Sequence, residues 1–345
     1  MTSVPAPAAA PAPPTVAPTV AAGLPVTKGH GTQNDFVLLD DRDGALDLTP
    51  ALVRDLADRR AGLGGDGVIR LVASSRLPEG AAVLAEDPAA TWFMDYRNAD
   101  GSVAEMCGNG VRVFAAFAQR LGLWDAADGE LVLGTRAGVR RVRPVPVPAG
   151  IDDAAWFAVD MGRWTIPGGD DAVRDGFDAQ VAVTGLDDVR PALRVDVGNP
   201  HTVLALTGPD ELVAADLTRA PQVRPVPPHG TNVELVVPLA EQQGDDGALV
   251  GRVAMRVHER GVGETRSCGT GACAAALAVR TWAGAGAPDV WLVDVPGGTV
   301  RVTALPDGHV ELAGPAVLVA TATVDLAAVA ARASAGASNA AAGRA

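Results

Sequence analysis

Apolar residues along the chain fall mostly into short, β-branched runs bounded by Gly, Pro and Asp. The first half carries "DFVLLD" (35–40), "GVIRLVA" (67–73), "TWFMDY" (91–96) and "ELVLGT" (130–135). The second carries "RVDVG" (194–198), "TVLAL" (202–206), "VELVV" (233–237), "RVAMRV" (252–257), "VWLVDV" (290–295) and "VRVTAL" (300–305). Runs of this length and residue type predict strands. Three other stretches, 50–60, 110–122 and 271–284, carry helical patterns. Strands outnumber helices, and few neighbouring strands are separated by a helix of crossover length, so the pattern predicts an α+β fold, not a doubly wound parallel sheet. The ends differ from the rest. Residues 1–25 are Pro/Ala-rich and 327–345 Ala-rich, with too little apolar surface to offset the entropy of ordering. Disorder is expected in both, with order beginning near Val26.

An internal repeat organises the middle. "MDYRNADGSVAEMCGNGVRVFAA" (94–116), moved 161 residues on, falls without a gap on "MRVHERGVGETRSCGTGACAAAL" (255–277). Met94 meets Met255, Cys107 meets Cys268, Gly108 meets Gly269, Gly110 meets Gly271 and Ala115 meets Ala276. "HGTQNDFVLL" (30–39) is echoed by "HGTNVELVV" (229–237) at a different offset. Two related domains are predicted, 26–150 and 151–311, with their Cys turns facing each other across a cleft.

In each copy a Cys-Gly-X-Gly turn opens a helix. Glycines let backbone approach a ligand closely. Unpaired N–H groups at a helix start bind anions, and the same field stabilises a thiolate. Two such starts converging on one carboxylate would stabilise the charge that builds there when the adjacent carbon loses a proton. Two thiols on opposite faces of that carbon, one ionised and one not, would serve as base and acid for inverting it, in either direction. Cys273, within "GACAAA", reads instead as a small buried hydrophobe.

Composition narrows the alternatives. The 345 residues hold 41 acidic and 28 basic side chains, a net charge of −13, which argues against a nucleic-acid partner. Three cysteines, without CxxC spacing and with scattered histidines, point to neither a disulfide framework nor a zinc site. The first 25 residues lack a basic segment followed by an apolar one, so no secretion signal or membrane span is expected, and a reducing cytoplasm is the expected setting. A binding module using both helix ends for an anion would have no use for two cysteines. A pyridoxal-phosphate enzyme would need Lys28, the single lysine, as its Schiff base.

The blocks "KGHGTQNDFVLLD" (28–40), "GLGGDGV" (62–68), "RNADGSVAEMCGNGVRVFA" (97–115), "VGNPHTV" (197–203), "GTNVELV" (230–236) and "ERGVGETRSCGTGACAAA" (259–276) together resemble the diaminopimelate epimerase family. The resemblance implies its fold: two pseudo-symmetric α+β domains, each a mostly antiparallel sheet wrapped on a central helix, with the last strand (about 312–326) returning to the first domain. It implies interconversion of LL- and meso-diaminopimelate, a step toward lysine and cell-wall precursors, with no cofactor and no metal, by a homodimer acting on a diamino dicarboxylate. Cys107 and Cys268 then become the acid/base pair, and the Gly108–Asn109 and Gly269–Thr270 amides grip the reacting carboxylate. Asn34, Asn98, Asn199, Asn232, Glu259 and Arg260 become the polar lining, with Arg260 forking the distal carboxylate, and His201 and Glu259 tune the thiols. Another cofactor-independent racemase or epimerase on the same fold is the alternative. Two positions depart from the family pattern. Gly67 stands where glutamine is common, removing one expected contact. Thr32-Gln33 stands where Leu-Gly is common, altering the loop beside Asn34.

Overall fold

The computed structural model describes residues 23–151, 155–244 and 247–327. Of the two low-complexity ends, 1–22 and 328–345 lie outside the described residues. The first half runs β1 (Leu24–Gly31), β2 (Asn34–Asp40), α1 (Pro50–Ala57), β3 (Gly67–Ala73), α2 (Gly80–Glu86), β4 (Trp92–Asn98), α3 (Gly108–Arg120), β5 (Leu131–Thr135), β6 (Gly138–Val145) and β7 (Trp156–Arg163). Next come α4 (Gly169–Asp175), β8 (Ala179–Ala182), β9 (Arg190–Asp196), β10 (Pro200–Ala205), α5 (Pro209–Ala214) and β11 (Gln222–Arg224). The chain continues through β12 (Asn232–Gln243), β13 (Leu249–Glu259), β14 (Gly263–Thr265), α6 (Gly269–Ala283), β15 (Val290–Val295), β16 (Gly298–Ala304), β17 (His309–Pro315) and β18 (Val317–Val324).

The pairing follows one rule twice. In the first half β1 to β7 pair in chain order, antiparallel except for the parallel pairs β2–β3 and β4–β5. In the second, β9, β10, β12, β13, β15, β16 and β17 pair in order, with β10–β12 and β13–β15 parallel. β7 and β17 join antiparallel, Val159 opposite Leu312, and zip the two ladders into one. β18 pairs with β1 and β8 with β9, so each half's first strand is flanked by the strand that follows a seam strand. The fold is α+β.

Each sheet closes on one helix. α3 buries Val111, Val113, Phe114, Ala115, Phe117 and Ala118 against Phe36, Ile69, Met94 and Leu133. α6 turns alanines and Leu277 toward Val203, Val236, Met255 and Trp291, which lets the strands approach closely all round. Each large side chain so enclosed stabilises the fold by about 1.5–3 kcal/mol. Being enclosed on all sides also leaves only one exit for each helix's polar N-terminus: the cleft.

Candidate active site

Both Cys turns cap their helices. Cys107 has extended backbone (φ −144°, ψ 118°), and its Sγ accepts from the Gly110 N–H at 3.5 Å. Cys268 does the same (φ −119°, ψ 117°), accepting from the Gly271 N–H at 3.4 Å. The glycines are needed here for space. A Cβ on Gly271 would lie 2.8 Å from Glu234 Oε1 and 3.3 Å from Cys268 Sγ. A Cβ on Gly269 would lie 2.9 Å from Leu312 Cδ2 and 3.8 Å from Asn109 N, so the two helix starts nearly touch. They open on one cleft of about 840 Å³.

Cys107 is half-buried and Cys268 buried. Burial pushes the Cys107 thiol up to about 11, with the amides of Gly110 and Asn109 acting the other way. Burial, then the charges of Glu259 and Glu234, pushes Cys268 well above the usual thiol range. Glu259 is itself raised by burial, opposed by hydrogen bonds from Thr265 and Cys268. Cys273 is fully buried, its thiol pushed up to about 12 by desolvation, in keeping with a packing role.

A polar relay fixes the Cys107 side. Arg112 Nη2 donates to Asn109 Oδ1 at 2.8 Å; Asn109 Nδ2 donates to Asn34 Oδ1 at 3.2 Å; Asn34 Nδ2 donates to Asp66 Oδ2 at 2.7 Å. Arginine only donates and an ionised carboxylate only accepts, so both ends dictate the amide orientations between them. The carbonyl of Asn34 is thereby turned to the Cys107 sulfur, 3.6 Å away, where it accepts from a thiol and repels a thiolate. Asn109 Nδ2 also reaches Ser267 of the other half, at 3.2 Å to its Oγ.

Cys107, Cys268, Gly108, Asn109, Gly269, Thr270, Asn34, Asn98, Asn199 and Glu259 all line the cleft. Arg260 and Asn232 stand apart. Asn232 is buried with its Oδ1 on the Arg260 N–H (2.9 Å), and the Arg260 guanidinium holds the His229 carbonyl (2.6 Å) at a different pocket. His201 is buried behind the site, with Nδ1 on Glu234 Oε1 (2.6 Å) and Nε2 on Asn199 Oδ1 (2.9 Å). The Thr32-Gln33 turn is the tight loop of the β1–β2 hairpin, both residues left-handed (φ 49° and 62°). Contacts with the other half hold it there: Thr32 Oγ1 to Ser267 Oγ at 2.6 Å and Arg266 Nε to Gln33 Oε1 at 2.5 Å.

Sequence reasoning passed over Glu234, Arg112, Asp66 and Tyr96. Glu234 sat two residues from Asn232 in a strand that reads as uniformly apolar, and a carboxylate there was itself the signal. Asp66 lay within "GLGGDGV", already singled out.

Two sheets, each closed on a helix, make a two-domain fold also found in a hydroxyproline epimerase from Agrobacterium vitis. That structure matches with a TM-score of 0.52 at 17% identity, over 87% of this chain and 90% of its own. Sequence takes the matter further. The family model for diaminopimelate epimerase matches residues 26–163 and 193–319. Diaminopimelate epimerase of Streptomyces coelicolor is 48% identical over 305 residues, 86% of this chain and 94% of the relative. That of Rhodococcus opacus is 47% identical over 306 residues, 87% and 96%. The chain belongs to the diaminopimelate epimerase family, and so to the isomerases.

Proposed function

We propose that the chain interconverts LL- and meso-diaminopimelate by moving protons between one Cα and the two thiols of Cys107 and Cys268, with residues 26–150 and 151–311 as the walls of its cleft and without pyridoxal phosphate or metal. The observation that carries this reading is the pair of helix-capping thiols on one cavity. The reacting carboxylate sits on the amides opening α3 and α6, where aligned peptide dipoles favour negative charge. One sulfur, as thiolate, takes the Cα proton; the opposite thiol delivers its own to the other face. One proton leaves the carbon and one arrives, and the negative charge passes from sulfur to sulfur, so the reverse reaction uses the same groups with roles exchanged.

Glu259, hydrogen-bonded to Cys268, can receive that thiol's proton to start a cycle, and His201 acts on the same side through Glu234. Asn34, Asn98 and Asn199 offer neutral partners to the substrate's ammonium and distal carboxylate groups. Arg260 joins them only by letting go of the His229 carbonyl, with Asn232 holding its backbone. Lys28, ion-paired with Asp35 at 2.5 Å, is not among the cleft-lining residues and lends no support to a Schiff base. A homodimer forms part of the reading, and sedimentation measures it directly.

The test is to incubate LL-diaminopimelate with the protein in deuterated water. Label entering one Cα only, with the meso isomer accumulating, is the expected result. Exchange into proline or histidine but not diaminopimelate would transfer the assignment to a related racemase, and no exchange in any would remove it.

A further inference from the structure

The phenolic oxygen of Tyr96 has no role in the reading above, yet Tyr96 is part of the cleft wall. Tyr96, on β4, is the chain's single tyrosine. It is only 7% exposed and lines the cleft. Its ring is held edge-on to Phe36, centroids 5.8 Å apart at 82°. On the neighbouring strand Gly67 is bare, and the ring takes the room a side chain there would need. A Cβ on Gly67 would lie 2.5 Å from Tyr96 Cε2, 3.2 Å from its hydroxyl and 2.4 Å from the Arg97 carbonyl. The position that lacks the expected polar side chain is therefore filled from the next strand by a phenol.

The Tyr96 hydroxyl makes no hydrogen bond to protein among the described residues and opens on the cleft, while the ring below it is fixed on Phe36 and Gly67. Burial first, then the acidic groups Cys107, Asp66, Glu259 and Asp100, hold it protonated, so it faces the cleft as a donor. None of these groups accepts from the hydroxyl, and the diamino dicarboxylate of the proposed function brings carboxylate oxygens that would.

We infer that the Tyr96 hydroxyl donates a hydrogen bond to a carboxylate oxygen of the bound substrate, making Tyr96 a specificity-determining contact in the space kept open by Gly67. This rests on the proposed function. Tyr96→Phe keeps the ring and removes only the oxygen. It is expected to raise KM for diaminopimelate about tenfold, the worth of one charge-assisted hydrogen bond, with kcat within about twofold and an unchanged melting temperature. Independently, the ultraviolet resonance Raman doublet of the only tyrosine in wild-type protein is expected to move to the donor pattern when diaminopimelate is added. Unchanged KM in an active Y96F enzyme, or a doublet that does not respond, overturns the contact alone. A wild-type protein inert toward diaminopimelate overturns the functional reading and the contact with it.

Discussion

Arg112 lies on the first turns of α3, fully buried, with Nε and Nη1 unpaired among the described residues and no carboxylate against it. Desolvation pushes its guanidinium down to about 10, with Cys107 and Cys273 acting the other way. Against a free arginine, at about 1.4 kcal/mol per pH unit, roughly 3 kcal/mol opposes the charged side chain in the fold. A depressed base is disfavoured in its charged form at every pH below its folded value, so this cost is present throughout the neutral range and begins to fade only as pH rises past about 10. Replacing Arg112 by Met removes it and keeps most of the volume, but loses the hydrogen bond to Asn109, worth about 1.5–3 kcal/mol for a charged donor.

The two terms nearly cancel. Arg112→Met should therefore leave urea-unfolding stability unchanged or up to about 1.5 kcal/mol higher, where truncating an ordinary core side chain costs about 2–5 kcal/mol. Activity should move the other way. Without its donor-only anchor Asn109 is held only by the longer bonds from its Nδ2 to Ser267, 3.3 Å to the carbonyl and 3.2 Å to Oγ, so the hold on Asn34 and on the carbonyl facing Cys107 weakens; kcat/KM should fall at least tenfold. Measured together by denaturation and by label exchange, the pair of effects is diagnostic. A loss of more than about 2 kcal/mol in stability, or full activity in the variant, would refute the argument that this cation is kept for the site and not for the fold.

Cys107→Ala and Cys268→Ala should each abolish inversion, by at least about a thousandfold as for loss of a general base or nucleophile, while circular dichroism stays native; inversion surviving either change would end the two-thiol scheme. Cys107 is raised, so its neutral form stabilises the fold below about pH 9, and that contribution is lost as pH climbs from 9 through about 11, with Cys268 shifted in the same direction. Iodoacetamide labelling of Cys107 without substrate should accordingly keep rising to about pH 11, and a midpoint below 9 would contradict the desolvation account. Gly297→Ala would set a Cβ 1.8 Å from the Thr32 carbonyl, so it should lower the melting temperature by the equivalent of about 3 kcal/mol; an unchanged melting curve would show that this turn gives way freely.

Strand runs and the Cys repeat were legible because each rests on local chemistry: β-branched residues for the strands, a capping sulfur and two small residues for the turns. The helices α3 and α6 begin at Gly108 and Gly269, two residues before the periodic stretch, because the cysteines themselves are the caps. α2, α4 and α5 escaped notice because one or two turns leave too short a pattern, and the last strand, whose "VLVATATV" carries no charge, was expected only from the resemblance. Arg112 passed unremarked within the helical pattern of 110–122, because a helix enclosed by a sheet has no polar face to spare and nothing in its own segment shows the enclosure. The resemblance placed Arg260 at the distal carboxylate. β13 ends at Glu259, so Arg260 lies in the turn beyond it, and its guanidinium is held by the His229 carbonyl at a different pocket. What a side chain meets across 150 residues of chain cannot be read from its own segment.

The seam between β7 and β17 and the return of β18 to β1 also bear on how such a molecule can be recombined. A chimera made by a single crossover near the middle of the chain would carry its first ladder from one parent and that ladder's flanking strand from the other. Val324 must still lie opposite Leu24 along eight residues of foreign sequence. Exchanging one lobe intact therefore takes two junctions, with residues 317–324 travelling alongside the beginning of the chain.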